Sequence, residues 1–228
     1  MTSWLLLQLA DSAFPAGGFA HSAGLEAAAQ LGEVTGTAGL RAFCEEALWQ
    51  AGLGALPFVR AAHEASDPTT QPAPARLTSI DARCHAFLTS HVANRASRTQ
   101  GRAFIATVAR VFPRPALTSL DEAIRARALH GHHAPLYGAA LRALDVGVAE
   151  AERLFLHQAL RSVTSAAVRL GLLGPHEAQR LQHDLAPLAD EVLARSAHVP
   201  VDEAAQPAPL LDLFGATHDR LYARLFQS

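Results

Sequence analysis

The residues in this chain best placed to do chemistry are histidines. His130, His132 and His133 fall within one short segment, HGHHAP. Neutral imidazole is a common ligand for nickel and zinc, so the loop reads as a candidate metal site. Such a site takes three or four ligands at defined spacing, with hydrogen bonds behind them. No His-Glu-x-x-His and no cysteine pair accompanies this loop. A nickel-binding metallochaperone using His130, His132 and His133 therefore stands as an alternative to the leading reading below.

A second candidate is Ala20-His21-Ser22-Ala23-Gly24, which has the outline of a hydrolase nucleophile elbow with Ala in place of the first Gly. That elbow needs a strand before the serine. Pro15, Gly17 and Gly18 precede it here and argue against one. A serine hydrolase using Ser22, with His157 and an Asp, is the weaker alternative. A third group is Arg95, Arg98 and Arg102, one helix face at i, i+3 and i+7. It reads as a solvated or interfacial face, with a phosphate site as the alternative because guanidinium suits phosphate geometry. No Gly-x-x-x-x-Gly-Lys-(Ser/Thr) is present, so the chain is not a nucleotide hydrolase of that kind.

These residues need elements to hold them. The chain has 228 residues, half of them hydrophobic and 18% charged, enough for one helical domain with a proper core. The formal net charge of -2 argues against a nucleic-acid binder. All 19 basic residues are Arg. Cys44 and Cys84 share no metal-type spacing, which suits a reducing compartment. No apolar run reaches the ~18 residues of a membrane span, and Trp4 to Ala10 is too short for a secretory signal. The expectation is a cytoplasmic protein with no membrane partner.

Asp11 to Glu26, DSAFPAGGFAHSAGLE, is the least average stretch. Pro15, Gly17 and Gly18 predict a tight corner that delivers Phe19, and Ser22 reads as the N-cap of a helix over Ala23 to Leu31, with Glu26 in its first turn. Thr37 is expected to cap a helix that ends at Gly52 and Gly54. Leu56 to Ala65 follows, then a loop over Ser66 to Pro74. Ala75 to Val111 holds two helices or one broken one. Ser119 is expected to cap a short helix to Leu129, with a loop over His130 to Pro135. Leu136 to Leu144 and Val148 to Leu170 are helical, and the second has the wide apolar face of a core helix. Pro175 opens the next, which Pro187 kinks or splits. Leu210 to Ser228 is a Leu-rich tail with aromatic residues and Arg interleaved, a composition typical of interface anchors. No stretch alternates at period 2. The reading is all-α, a single-domain bundle of about ten helices, with an N-terminal arm at 1–10 and a docking tail at 210–228.

Blocks of the chain resemble the urease accessory protein family UreF. The corner supplies Asp11, Pro15, Gly17, Gly18, Phe19, His21, Ser22, Gly24, Leu25 and Glu26, departing at Ala10, where the family pattern has Ser. The tail supplies His218, Asp219, Leu221, Tyr222, Ala223, Arg224, Leu225, Phe226 and Ser228. Between them stand Ser97 with Gly101, His133 with Gly138, and the run from Ser162 to Gln179, in which Leu172 and Pro175 depart from the pattern. The resemblance implies an all-α homodimer without catalysis or a cofactor of its own. It implies that the chain binds UreD (also called UreH), recruits the GTPase UreG to apo-urease for nickel insertion, and modulates that GTPase. It also implies partner-binding roles for Phe19 and Arg224. With them we place His21, Ser22, Tyr222, Leu225 and Phe226 on one docking surface formed by corner and tail.

Overall fold

In the computed structural model, residues 2–67 and 73–227 are described; the side chains of residues 2, 3, 19, 73 and 74 lie outside the description. The described residues form twelve α-helices and no strand. They are α1 (Thr2–Ala10), α2 (Leu25–Gln30), α3 (Gly36–Gln50), α4 (Leu56–Ala65), α5 (Ala73–Phe87), α6 (His91–Val111), α7 (Pro115–Arg125), α8 (His133–Ala143), α9 (Val148–Arg169), α10 (Pro175–Asp184), α11 (Ala186–Ser196) and α12 (Pro209–Thr217). The all-α reading holds. None of these helices is long and apolar enough to cross a membrane.

Helix α9 sits at the centre, as its apolar face predicts. It touches α1, α2, α3, α4, α8, α10 and α11. Leu156, Val163, Ala166 and Ala167 are buried along it. It also holds the N-terminal arm, because Gln158 Nε2 donates to the Leu9 carbonyl at 2.8 Å and Arg161 Nη1 donates to that of Ala10. Those carbonyls end α1 and have no partner within it. Helices α4 and α8 form the closest pair. A Cβ at Gly138 would run into the Val59 carbonyl, so only glycine permits that approach.

Several boundaries differ from expectation, each for a local reason. Gly52 and Gly54 do not end α3. The helix widens into a π turn over Ala51–Ala55 and continues as α4. Both glycines are buried because Val192 of α11 and the Ala205 carbonyl press against them, so they serve packing rather than termination. Helix α7 starts at Pro115, with proline at a first-turn position where no intrahelical N–H is needed, rather than at Ser119. Helix α8 starts at His133, two residues before Pro135. Gly24 at φ +87° takes the cap position of α2, leaving Ser22 buried beneath the turn. Thr35, not Thr37, precedes α3. Pro187 divides its segment cleanly into α10 and α11. Most of the loop expected over Ser66 to Pro74 lies outside the described residues, and α5 already begins at Ala73.

Candidate functional site

The corner and the tail meet. Between α1 and α2 the chain turns at Gly17, φ +77°, into a 3-10 turn over Gly18–Ala20. Thr107 of α6 donates to the Pro15 carbonyl at 2.9 Å, and Phe14 stacks on Phe112 at 6.3 Å between ring centroids. Behind the corner lies a cavity of about 930 Å³ whose lining includes Phe14, His21, Phe155, Arg161 and Phe226.

Glu26 joins the two ends of the chain. Its Oε1 accepts from the Leu225 N–H at 2.6 Å. Its Oε2 accepts from the Phe226 N–H at 3.2 Å and from His218 Nε2 at 3.0 Å. Two outer bonds extend this clamp: the Gln227 N–H donates to the Ala20 carbonyl at 2.8 Å, and Gln30 Nε2 donates to the Ala223 carbonyl at 2.9 Å. Arg169 of α9 lies over the Phe226 ring at 4.1 Å, a cation–π contact that closes the tail onto the core.

Beside it, Asp219 gathers cations. Arg95 Nη2 reaches both of its oxygens at 2.8 and 3.0 Å, His91 Nε2 is at 3.4 Å and Arg224 Nη1 at 3.5 Å. The Arg95 hydrogen bond holds the Asp219 carboxyl below the usual carboxylate range. Burial lowers His21, with His218 and Arg95 adding to the effect.

The residues expected to bind partners divide in two. Tyr222 is fully exposed, Leu225 is 53% exposed and Arg224 points to solvent. Leu210 and Leu213 of α12 are also exposed, so the tail carries an apolar strip with a guanidinium in it. Ser22 and Phe226 face inward, and His21 is half-buried. The side chain of Phe19, the other anchor expected from sequence, lies outside the described residues.

The family follows from comparison with known proteins. A family model described as UreF matches residues 34–186. Urease accessory protein F of Arabidopsis thaliana is 36% identical over 227 residues, covering 99% of this chain and 92% of that protein. The protein of the same name in Oryza sativa subsp. indica is 36% identical over 225 residues, 98% of this chain and 84% of that protein. Urease accessory protein UreF of Cereibacter sphaeroides strain ATCC 17025 is 31% identical over 224 residues, 98% and 97%.

The chain belongs to the UreF family. Its role lies in urease maturation, alongside other components of that process. The UreF match at 34–186 leaves corner and tail outside it, while the full-length relatives cover both. UreF proteins are maturation factors. Ser22 is fully buried and no described residue forms the strand that an elbow needs. The three loop histidines diverge. His133 packs among Phe104, Tyr137 and Phe155, and burial pushes it down to about 3. His132 turns its two nitrogens to Ser97 and His85, while His130 stacks on His85. Among the described residues no group of three His, Cys, Asp or Glu side chains is arranged to hold a metal ion.

Sequence reasoning placed Glu26 in a helix's first turn as a dipole partner and missed its clamp. Glu26, His218 and Asp219 all stood inside the two motif blocks; their pairing across the fold had no sequence signal.

Proposed function

We propose that this chain is a non-catalytic scaffold in the delivery of nickel to urease. In this reading it binds UreD, recruits the GTPase UreG to apo-urease, and modulates that GTPase. It works in the cytoplasm as a homodimer, with no nucleic-acid or membrane partner. The whole chain, 1–228, acts as one domain, with the arm at 1–10 and the tail at 210–228 as its appendages. The observation that carries the reading is the Glu26 clamp. It fixes a C-terminal segment that would otherwise hang free, and so presents Tyr222, Arg224 and Leu225 beside the corner as one preorganised surface. Preorganisation reduces the entropy lost on binding, and aromatic and Arg side chains are the usual anchors of such surfaces.

Co-purification of this chain with its own UreD and UreG, sized by light scattering, tests it. The expected result is a ternary complex holding two copies of this chain. A folded chain that ignores both partners would refute the scaffold reading. Within the complex, Arg224→Ala is expected to weaken UreD capture by about tenfold or more, the loss of one interface anchor.

A further inference from the structure

Arg98 stands apart from the other arginines of its helix. Arg95 is matched by Asp219, and Arg102 Nη2 donates to the His130 carbonyl at 3.1 Å. Arg98 is half-buried, its Nε is wholly enclosed, and it has no hydrogen-bond or ion-pair partner among the described residues. The other half-buried guanidiniums each have a partner: Arg60 pairs with Glu152 and Arg142 with Asp67, Arg161 donates to the Ala10 carbonyl, and Arg169 lies over the Phe226 ring. Enclosing a charge without a counter-charge is unfavourable, so an unmatched guanidinium points to an anion from outside.

The surroundings are built for one. Asp81, the carboxylate that acts on His85, is committed: its oxygens accept from the backbone N–H groups of His130 at 2.5 Å, Gly131 at 3.1 Å and His132 at 2.9 Å. With Ser97 Oγ accepting from the His133 N–H at 3.2 Å, this occupies the start of α8. Beside it the imidazoles form a linked chain. Asn94 Nδ2 donates to the His85 and Leu88 carbonyls at 3.0 and 3.2 Å and lies 3.4 Å from His85 Nδ1. His132 Nε2 lies 3.1 Å from His85 Nδ1, and His132 Nδ1 lies 3.2 Å from the Ser97 hydroxyl. His130 stacks flat on His85 at 4.0 Å, 4° between planes.

We infer that α6 and the segment before α8 form a site for a phosphate group, with Arg98 and Arg102 as its charged arms and the stacked His85–His130 pair as its wall. Guanidiniums one helical turn apart suit a tetrahedral oxyanion with several acceptor oxygens. They oppose a divalent cation, although three histidines stand beside them. The local field is already positive: burial lowers His85 and pushes His132 down to about 3, and Arg98 acts in the same direction on both. A bound phosphate reverses that field. The groups facing it are His85, Asp81, Arg98, Arg102, His130 and His132.

Titration calorimetry of the full chain with inorganic phosphate, in a low-salt buffer at about pH 7.5, reads this directly. The expected result is one site per chain, weakened about tenfold or more by Arg98→Ala, the loss of a charged hydrogen-bonding partner. Arg224→Ala should leave it unchanged. Arg98 has no internal partner to lose, so its variant should keep the wild-type circular dichroism spectrum and melting temperature. A nucleoside 5′-phosphate that binds more tightly than inorganic phosphate assigns the site to a nucleotide; equal binding assigns it to the phosphate group alone. Absence of phosphate binding, binding indifferent to Arg98→Ala, or stoichiometric retention of nickel by His85, His130 and His132 would overturn the inference.

Discussion

Glu26 and His218 lie 192 positions apart in the chain and 3.0 Å apart in the fold, and neither side chain is more than 2% exposed. One carboxylate thus accepts from an imidazole nitrogen and two backbone N–H groups of the last eleven residues. Glu26→Ala leaves all three donors buried without an acceptor. The expected loss of stability is about 3–5 kcal/mol, with Glu26→Gln nearer 1–3 because one acceptor oxygen remains. Urea denaturation gives the magnitude. Limited proteolysis gives the place, with new cleavage after Thr217 in the alanine variant; a tail as resistant as wild type would disprove the clamp.

Phe226 and Arg224, two residues apart, should behave as opposites. Phe226 is 6% exposed under Arg169, and truncating it to alanine is expected to cost about 3–5 kcal/mol. Arg224 faces solvent, and Arg224→Ala should change stability by no more than about 0.5 kcal/mol. Thermal melts of the two variants beside UreD pull-down separate folding from docking. A destabilised Arg224→Ala would move that residue from the docking surface into the fold.

Gly138→Ala tests the α4–α8 contact. The new methyl meets the Val59 carbonyl, and separating two packed helices should cost about 1–3 kcal/mol or more, lowering Tm by at least about 3 °C in a chain this long. Gly215→Ala in α12 is the control. Nothing lies within 4 Å of its added carbon, and the gain in helix propensity predicts equal or higher stability.

Acid should unfold this protein through its histidines. His132 and His133 are held neutral in the fold, down to about 3, chiefly by burial. Their unfolded forms take up protons below about pH 6.5, so stability is level above that value and falls as pH drops toward 3. Each contributes a slope of up to about 1.4 kcal/mol per pH unit in that window. The urea midpoint measured across this range, in wild type and in His132→Asn, checks the sign. An unchanged midpoint between about pH 7 and pH 5 would show that the imidazoles are not buried as described.

Cys44 and Cys84 should be inert. Both are buried, and burial pushes the Cys44 thiol up to about 12 and Cys84 higher still. A disulfide-exchange reagent near neutral pH should therefore label neither thiol in the native protein and both after denaturation. Rapid native labelling would contradict the packing of α3 or α5.

What the sequence determined is local. Apolar spacing in Val148 to Leu170 placed α9 at the core centre, Pro187 marked the α10–α11 break, and Pro15 with Gly17 marked the corner. Motif residues at both ends identified the family, because those blocks lie in short contiguous runs. Tertiary structure decided the rest. Gly52 and Gly54 read as helix stops because, in isolation, glycine disfavours helix; pressed against Val192 and Ala205 they become the price of close packing. His130, His132 and His133 read as one cluster because they are neighbours in sequence. The backbone turn sends the His133 ring into the aromatic core and leaves His130 and His132 against His85, and the partners that define the latter two, Asp81, His85 and Ser97, come from α5 and α6. Glu26 read as a helix-dipole residue because its partners lie at the far end of the chain. A buried carboxylate acquires its role from the donors that folding brings to it, and no local pattern in the sequence records them.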